Sequence, residues 1–275
     1  MTSTHPALQA EPPVEHWLRQ PRAVVALVPS EGFCVTAFRV LLDPHSGDPP
    51  GRDRDAGNTA GDPDGDWLPM VAEPPSWEQL HARPSFFGVP LLFPYAHVIA
   101  GGSFTYRGQQ YVLRPGRARR VVHGLVRDYP WSVDRTWTDG EGDHIRASIS
   151  TAPTAPTTST TSNMNGPNDP GGDPRLAEFP FPFTFEVTYT LHQTTLTLEA
   201  VATNLSSGPM PIGFGIHPYF PLPLAPWGRV DDCVVQADVT HLVSIDSTGP
   251  EPRRELTSPS GSSDFRPGQP VTHLP

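Results

Sequence analysis

The sequence predicts an all-β fold built from two packed sheets, and three observations carry that expectation. Apolar and β-branched runs of strand length recur along the chain. Clusters of Gly, Pro, Asp and Ser separate them, and no stretch sustains a helical period. Residues 23–28 and 33–42 are two such runs, parted by a Pro-Ser-Glu-Gly turn at 29–32. Residues 44–66 hold Gly, Pro, Asp and Arg with almost nothing apolar, and are expected to form a long polar loop. Residues 76–81 predict a short helix with Ser76 as its cap. An apolar run at 86–93 leads to a hairpin, 104–106 and 111–113, turning at Arg107 and Gly108. Strands are expected at 131–137 and 144–150, split by an Asp-Gly-Glu-Gly turn. The clearest hairpin pairs 181–191 with 195–203, where Leu196, Leu198, Ala200 and Ala202 alternate with Thr197, Glu199, Val201 and Thr203, the pattern of a strand with one buried face. A last strand is expected at 233–239, and the tail from Ser247 is polar and thin in signals. Residues 152–174 are Thr, Ser, Pro, Asn and Gly, too polar to offset the entropy of ordering. Strand patterning resumes after them, so they predict a disordered insertion within one domain spanning 1–275.

Composition narrows the function classes. The 275 residues suffice for a substantial core. The net charge is -10, and all 19 basic residues are Arg, a bias that a GC-rich genome encodes. An acidic chain argues against nucleic acid, which needs clustered cations; the dense run Arg114, Arg117, Arg119 and Arg120 reads as a solvated turn. Cys34 and Cys233 lie far apart in apolar segments and are expected to be buried free thiols of a reducing compartment. Residues 1–13 show no basic start before an apolar run, and no stretch is long and apolar enough to span a membrane, so the expectation is a soluble cytoplasmic protein.

Three segments carry the chemistry. They are Phe87-Gly-Val-Pro-Leu-Leu-Phe-Pro-Tyr-Ala-His-Val-Ile-Ala-Gly-Gly-Ser-Phe104, His123-Gly-Leu-Val-Arg-Asp-Tyr-Pro-Trp131 and Gly213-Phe-Gly-Ile-His217-Pro-Tyr-Phe220. Each sets polar or ring-bearing groups beside strand ends, with Gly and Pro fixing the backbone. Aromatics beside His suit sugars, whose C–H faces stack on rings while their hydroxyls need hydrogen-bond partners. Taken one at a time the signals are weak: a single His at a strand end is more often structural, and Trp131, Tyr219 and Phe220 would ordinarily be core. The eleven His show no metal-ligand spacing, so no metal is expected, and no G-x-S-x-G supports acyl chemistry.

In this order and spacing the segments resemble the aldose 1-epimerase, or galactose mutarotase, family over residues 23–239. The matching features are Gly-x-Pro-x-Leu-Phe-Pro with a Gly-rich turn after it, His-Gly followed by a Trp, and Gly-x-His-Pro-Tyr-Phe after a hairpin. The resemblance implies a β-supersandwich and interconversion of the α and β anomers of a monosaccharide by acid–base ring opening, with no cofactor. It implies that His217 is the general acid that protonates the ring oxygen, and that His123 hydrogen-bonds the sugar and steadies developing charge. An imidazole near neutral pKa suits proton delivery, and a carboxylate suits removal of the C1 hydroxyl proton. Tyr219 joins the substrate-binding set.

Two positions depart from the family pattern. Where the family has Asn-Arg after Phe-Pro, with the Arg holding sugar hydroxyls, this chain has His97 and Val98. Loss of one charged hydrogen bond, worth about 1.5–3 kcal/mol, weakens binding by about ten- to a hundredfold. His97 is either a partial substitute or an ordinary loop residue. The family's base is a Glu on a late strand, preceded by a sugar-binding Asp. Glu251, Glu255 and Asp264 lie in sequence that does not match that motif, so the expectation is a sandwich missing its C-terminal strands and without an assigned base. The alternative expectation is a non-catalytic carbohydrate-binding β-sandwich. A glycoside hydrolase ranks last, because it needs two facing carboxylates and no segment offers a pair.

Overall fold

The computed structural model describes residues 12–42, 67–113, 121–152, 178–246 and 253–273. The expected polar loop at 44–66, the Arg114–Arg120 run and all but Ala152 of the expected insertion lie outside those residues. The chain divides into two units, one of Met1–Leu41 with Val71–Tyr219 and one of Leu42–Met70 with Phe220–Pro275.

In the first unit β1 (His16–Gln20), β2 (Ala23–Val28) and β3 (Cys34–Leu41) form an antiparallel meander. The β2 sequence AVVALV is apolar on both faces, as suits a strand flanked by partners on both sides. The Pro-Ser-Glu-Gly turn is realised as a 3-10 turn at Pro29–Glu31. β4 (Trp67–Pro69) belongs to the second unit. The helix α1 (Trp77–Ala82) starts where expected, and Ser76 Oγ accepts from the Gln79 amide at 3.3 Å. β5 (Leu91–Leu92) follows, then the hairpin β6 (Ser103–Tyr106) and β7 (Gln109–Val112), whose turn residues Arg107 and Gly108 have φ of 51° and 78°. β8 (Ser132–Asp139), β9 (Gly142–Ser150), β10 (Phe183–His192) and β11 (Thr195–Asn204) form a four-stranded sheet in the order β11-β10-β9-β8. β12 (Gly215–Ile216) pairs with β5.

The core lies between the two sheets. On β10, Phe183, Phe185, Val187, Tyr189 and Leu191 are buried while the residues between them are half-buried, the period of two expected of a half-covered strand. They pack in one cluster with Ile145, Ala147 and Ile149 of β9 and with Val25, Leu27, Phe33 and Val35. Trp131 is core, its indole N–H donating to the Val126 carbonyl at 2.9 Å. Cys34 and Cys233 are buried free thiols, and burial pushes the Cys34 thiol up to about 12.

Two expectations differ in detail. The alternation on β11 does not become a buried face: Leu196 and Leu198 are half-buried, but Ala200 and Ala202 are exposed. β11 is the edge of its sheet, and among the described residues nothing covers that end. In the second unit, the strand expected over 233–239 shrinks to β13 (Val234–Val235), paired with β16 (Gln269–Pro270). β14 (Leu242–Asp246), just ahead of the polar tail, pairs antiparallel with β15 (Arg253–Thr257) within it.

The ring of Phe93, fully buried, lies flat on Phe185 at 4.2 Å and edge-on to Phe183 at 4.9 Å. This places one of the three chemistry-bearing segments directly on the core. Phe93→Ala is expected to cost about 3–5 kcal/mol of stability, from lost transfer energy and the cavity left behind. Urea unfolding checks it; a cost under ~1 kcal/mol contradicts this anchoring role.

Candidate functional site

The three segments come together through their backbones. Residues 88–99 form the central ribbon. On one side β5 pairs with β12, the His217 amide donates to the Pro90 carbonyl at 3.0 Å, and the Tyr219 amide donates to the Gly88 carbonyl at 2.9 Å. On the other side the Leu125 amide donates to the Phe93 carbonyl at 2.9 Å, His123 to His97 at 3.4 Å and Ile99 to Val121 at 2.9 Å. Two glycines permit this approach. A Cβ on Gly88 would lie 1.9 Å from the Val35 carbonyl oxygen, and one on Gly124 would lie 2.1 Å from that of Phe93; both have positive φ. The Gly of Gly-Val-Pro and the Gly of His-Gly are therefore steric necessities of the ribbon.

His123 itself has φ of 63°, a left-handed conformation that is uncommon outside Gly. Its ring lies 5.3 Å from that of His217, at an interplanar angle of 50°. His217 stacks on Tyr219 at 4.8 Å and 20°, and Tyr219 stacks on Phe86 at 6.3 Å and 26°. The result is a row of four rings, Phe86–Tyr219–His217–His123, with the guanidinium of Arg83 5.5 Å over its outer end. His123, His217 and Tyr219 are half-buried, and His97 is exposed beside His123. Of the four residues singled out from the sequence, three share the ring row and His97 flanks it. Phe86 and Arg83 were not singled out. The signal available in the sequence was a large aromatic just ahead of the Gly-Val-Pro segment, which is exposed here rather than core.

Electrostatics marks out His123. Burial, then the positive charges of Arg127, His217 and His97, pushes His123 down to about 4. Burial raises the Tyr219 phenol, and Arg127 partly opposes it. Among the described residues, no carboxylate shifts His123 or Tyr219. Glu255 and Asp264 belong to the second unit, Asp264 being engaged by Arg266 at 2.7 Å, and Glu251 lies outside the described residues. Val98, where the sequence pattern led us to expect an Arg, is exposed and pairs its backbone with Val122. Among the described residues no three His, Cys, Asp or Glu converge to hold a metal, and no helix is long and apolar enough to cross a membrane. A cleft of about 490 Å³ lies elsewhere, lined by Trp17, Trp137 and Asp143 among others, and touches none of the three segments.

The family model for aldose 1-epimerase matches residues 62–274. The chain belongs to the aldose 1-epimerase family. Among curated proteins, this aldose 1-epimerase family chain is 26% identical over 159 residues to the uncharacterized protein YihR of Escherichia coli K12, a match spanning 57% of this chain and 42% of that protein. Its fold is similar to that of a galactose mutarotase-like protein from Clostridium acetobutylicum, with a TM-score of 0.63 and 20% identity, covering 88% of this chain and 60% of that one. A GalM/aldose epimerase homologue from C. elegans gives a TM-score of 0.63 at 15% identity, covering 94% and 66%. A galactose mutarotase-like protein from Lactobacillus casei gives 0.55 at 17%, covering 94% and 67%. The expected β-sandwich of galactose mutarotase type is thereby established, and the chain spans about two thirds or less of these structures' own length.

The depressed His123 makes a pH prediction. Unfolded, its imidazole binds a proton below its ordinary value of 6.5; folded, it does so only near about 4. The unfolded state therefore holds more protons between those values, and His123 takes stability away as pH falls from about 6.5 to about 4. Urea unfolding at pH 7 and pH 4.5 is expected to show a smaller acid loss in His123→Gln than in the parent. An equal loss in both proteins rejects the assignment.

Proposed function

We propose that this chain is an aldose 1-epimerase-type isomerase that interconverts the anomers of a monosaccharide. The observation that carries the reading is the facing pair His123 and His217, 5.3 Å apart in a row with Tyr219, on three segments that match the family's motifs. The sugar's C–H face lies along the ring row, where stacking contributes without a charged partner. His217 delivers its proton to the ring oxygen as the C1–O bond opens. His123, held as a neutral imidazole at ordinary pH, donates its one N–H to a sugar oxygen and accepts at its other nitrogen. His97 offers a further hydrogen bond at the rim. Loss of the C1 hydroxyl proton gives the open aldehyde; rotation about C1–C2 and reclosure give the other anomer. No cofactor takes part.

The described residues around His123 supply the acid side of this exchange and no carboxylate base. A missing acid–base partner lowers rate by about 10²–10⁴-fold. That same observation favours a second reading, a carbohydrate-binding sandwich that holds the sugar without turning it over.

Polarimetry of α-glucose or α-galactose separates the two. The expected result is mutarotation faster than the spontaneous rate, lost in His217→Asn with circular dichroism unchanged. Activity that survives His217→Asn removes His217 as the acid. Sugar binding by calorimetry with no rate enhancement selects the binding protein.

A further inference from the structure

The chemistry just outlined leaves a buried cation beside the site unused. Arg127 sits in the 3-10 turn Val126–Asp128, four residues after His123, and its side chain is only 6% exposed. Its Nη2 donates to the Val122 carbonyl at 3.1 Å. Its Nε is buried with no hydrogen-bond partner, and Asp128 Oδ1, at 3.7 Å, is too distant to be one. Stability alone does not call for such a group: an apolar side chain of similar volume is often at least as stable as a buried ion pair. The backbone of Arg127 is also clamped, since a Cβ on Gly32 would lie 2.4 Å from its Cα. The turn after β2 thus presses directly on the residue.

We propose that Arg127 is a positioning residue for His123: its bond to Val122 locks the left-handed His123 turn, and its guanidinium supplies fixed positive charge at that end of the site. The proposal rests on the reading of His123 as the sugar-facing partner of His217. The groups facing His123 are Arg127 from its own turn, His97 from the central ribbon and His217 from beyond β12. Arg127 alone among them carries its charge at every working pH. It keeps His123 from competing with His217 for the mobile proton, and it favours negative charge developing on a sugar oxygen held there. The position where the family carries its sugar-binding Arg is Val98, so Arg127 is a cation that the site retains.

The test is titration of the histidine rings by NMR in the intact, sugar-free chain, with His123→Gln used to assign the resonance. In the parent, His123 is expected to titrate near about 4. In Arg127→Gln it is expected to rise by about one unit or more, the usual effect of removing a neighbouring like charge. In Arg127→Lys, which keeps the charge, it stays low. A purely structural Arg127 would leave the Gln variant unshifted, and that result overturns the proposal. If Arg127→Gln does not fold, the parent and the Lys variant decide: His123 titrating near 6.5 in either also overturns it. Mutarotation measured on the same samples keeps the two readings apart, because a parent without activity sinks the isomerase reading and leaves the titration result standing.

Discussion

The ribbon at 88–99 is the constraint on which the site depends. It is too short in regular pairing to count for much as a strand, yet it bonds to the His123 segment along one edge and to the His217 segment along the other. Its deep anchors are Leu91 and Phe93, both in the core cluster, with Phe93 flat against Phe185 of β10. The chain therefore converts sheet packing into site geometry through these two side chains. Any slip of this ribbon would shift both histidines relative to each other, because each is tied to it by a main-chain bond rather than by a flexible side chain. Backbone ties of this kind hold catalytic geometry better than loops alone can.

Much of this was legible in the sequence, and the reasons are local. The β10–β11 hairpin was readable because alternation over ten residues has no helical counterpart, and Ser76 was readable as a cap because a cap needs only its own turn. The three segments were readable as a set because their Gly residues, which permit close backbone approach, stand beside the His and Pro residues that mark the motifs. What failed to show has two causes. β1 pairs with the next strand and β14 with β15, so both pairings are local, but these sequences carry too little apolar periodicity to announce them. The exposed end of β11 depends instead on what faces the strand, which its own pattern cannot encode. Within the site, the ring row joins Phe86 to Tyr219 across more than a hundred residues, so only the fold assembles it.

The proposed function gives one histidine the proton and the other a holding role, and the surroundings of His123 support that division. His217 stacks on Tyr219 and lies tilted against His123, with its backbone amide bonded to Pro90. His123 is turned into the site by a left-handed backbone and surrounded by positive or potentially positive groups. A second proton there would face two imidazoles and Arg127, whose guanidinium is paired with the buried Asp128 carboxylate at 3.7 Å. Under the proposed reading, the low proton affinity of His123 keeps that ring in the holding role.

That asymmetry also bears on the catalytic base. In a site where an acid and a base face each other, a carboxylate near the imidazoles would raise their proton affinity; the groups bearing on His123 include none, and its affinity is low instead. If a carboxylate enters from a segment beyond those described, His123 should move upward from about 4 when it does. The titration of a single ring would then report on the completeness of the site, independently of turnover. A sugar bound without such a carboxylate would leave that ring titrating low. The acid half of the chemistry and the presence of its partner are in this way separable by one observable on one residue.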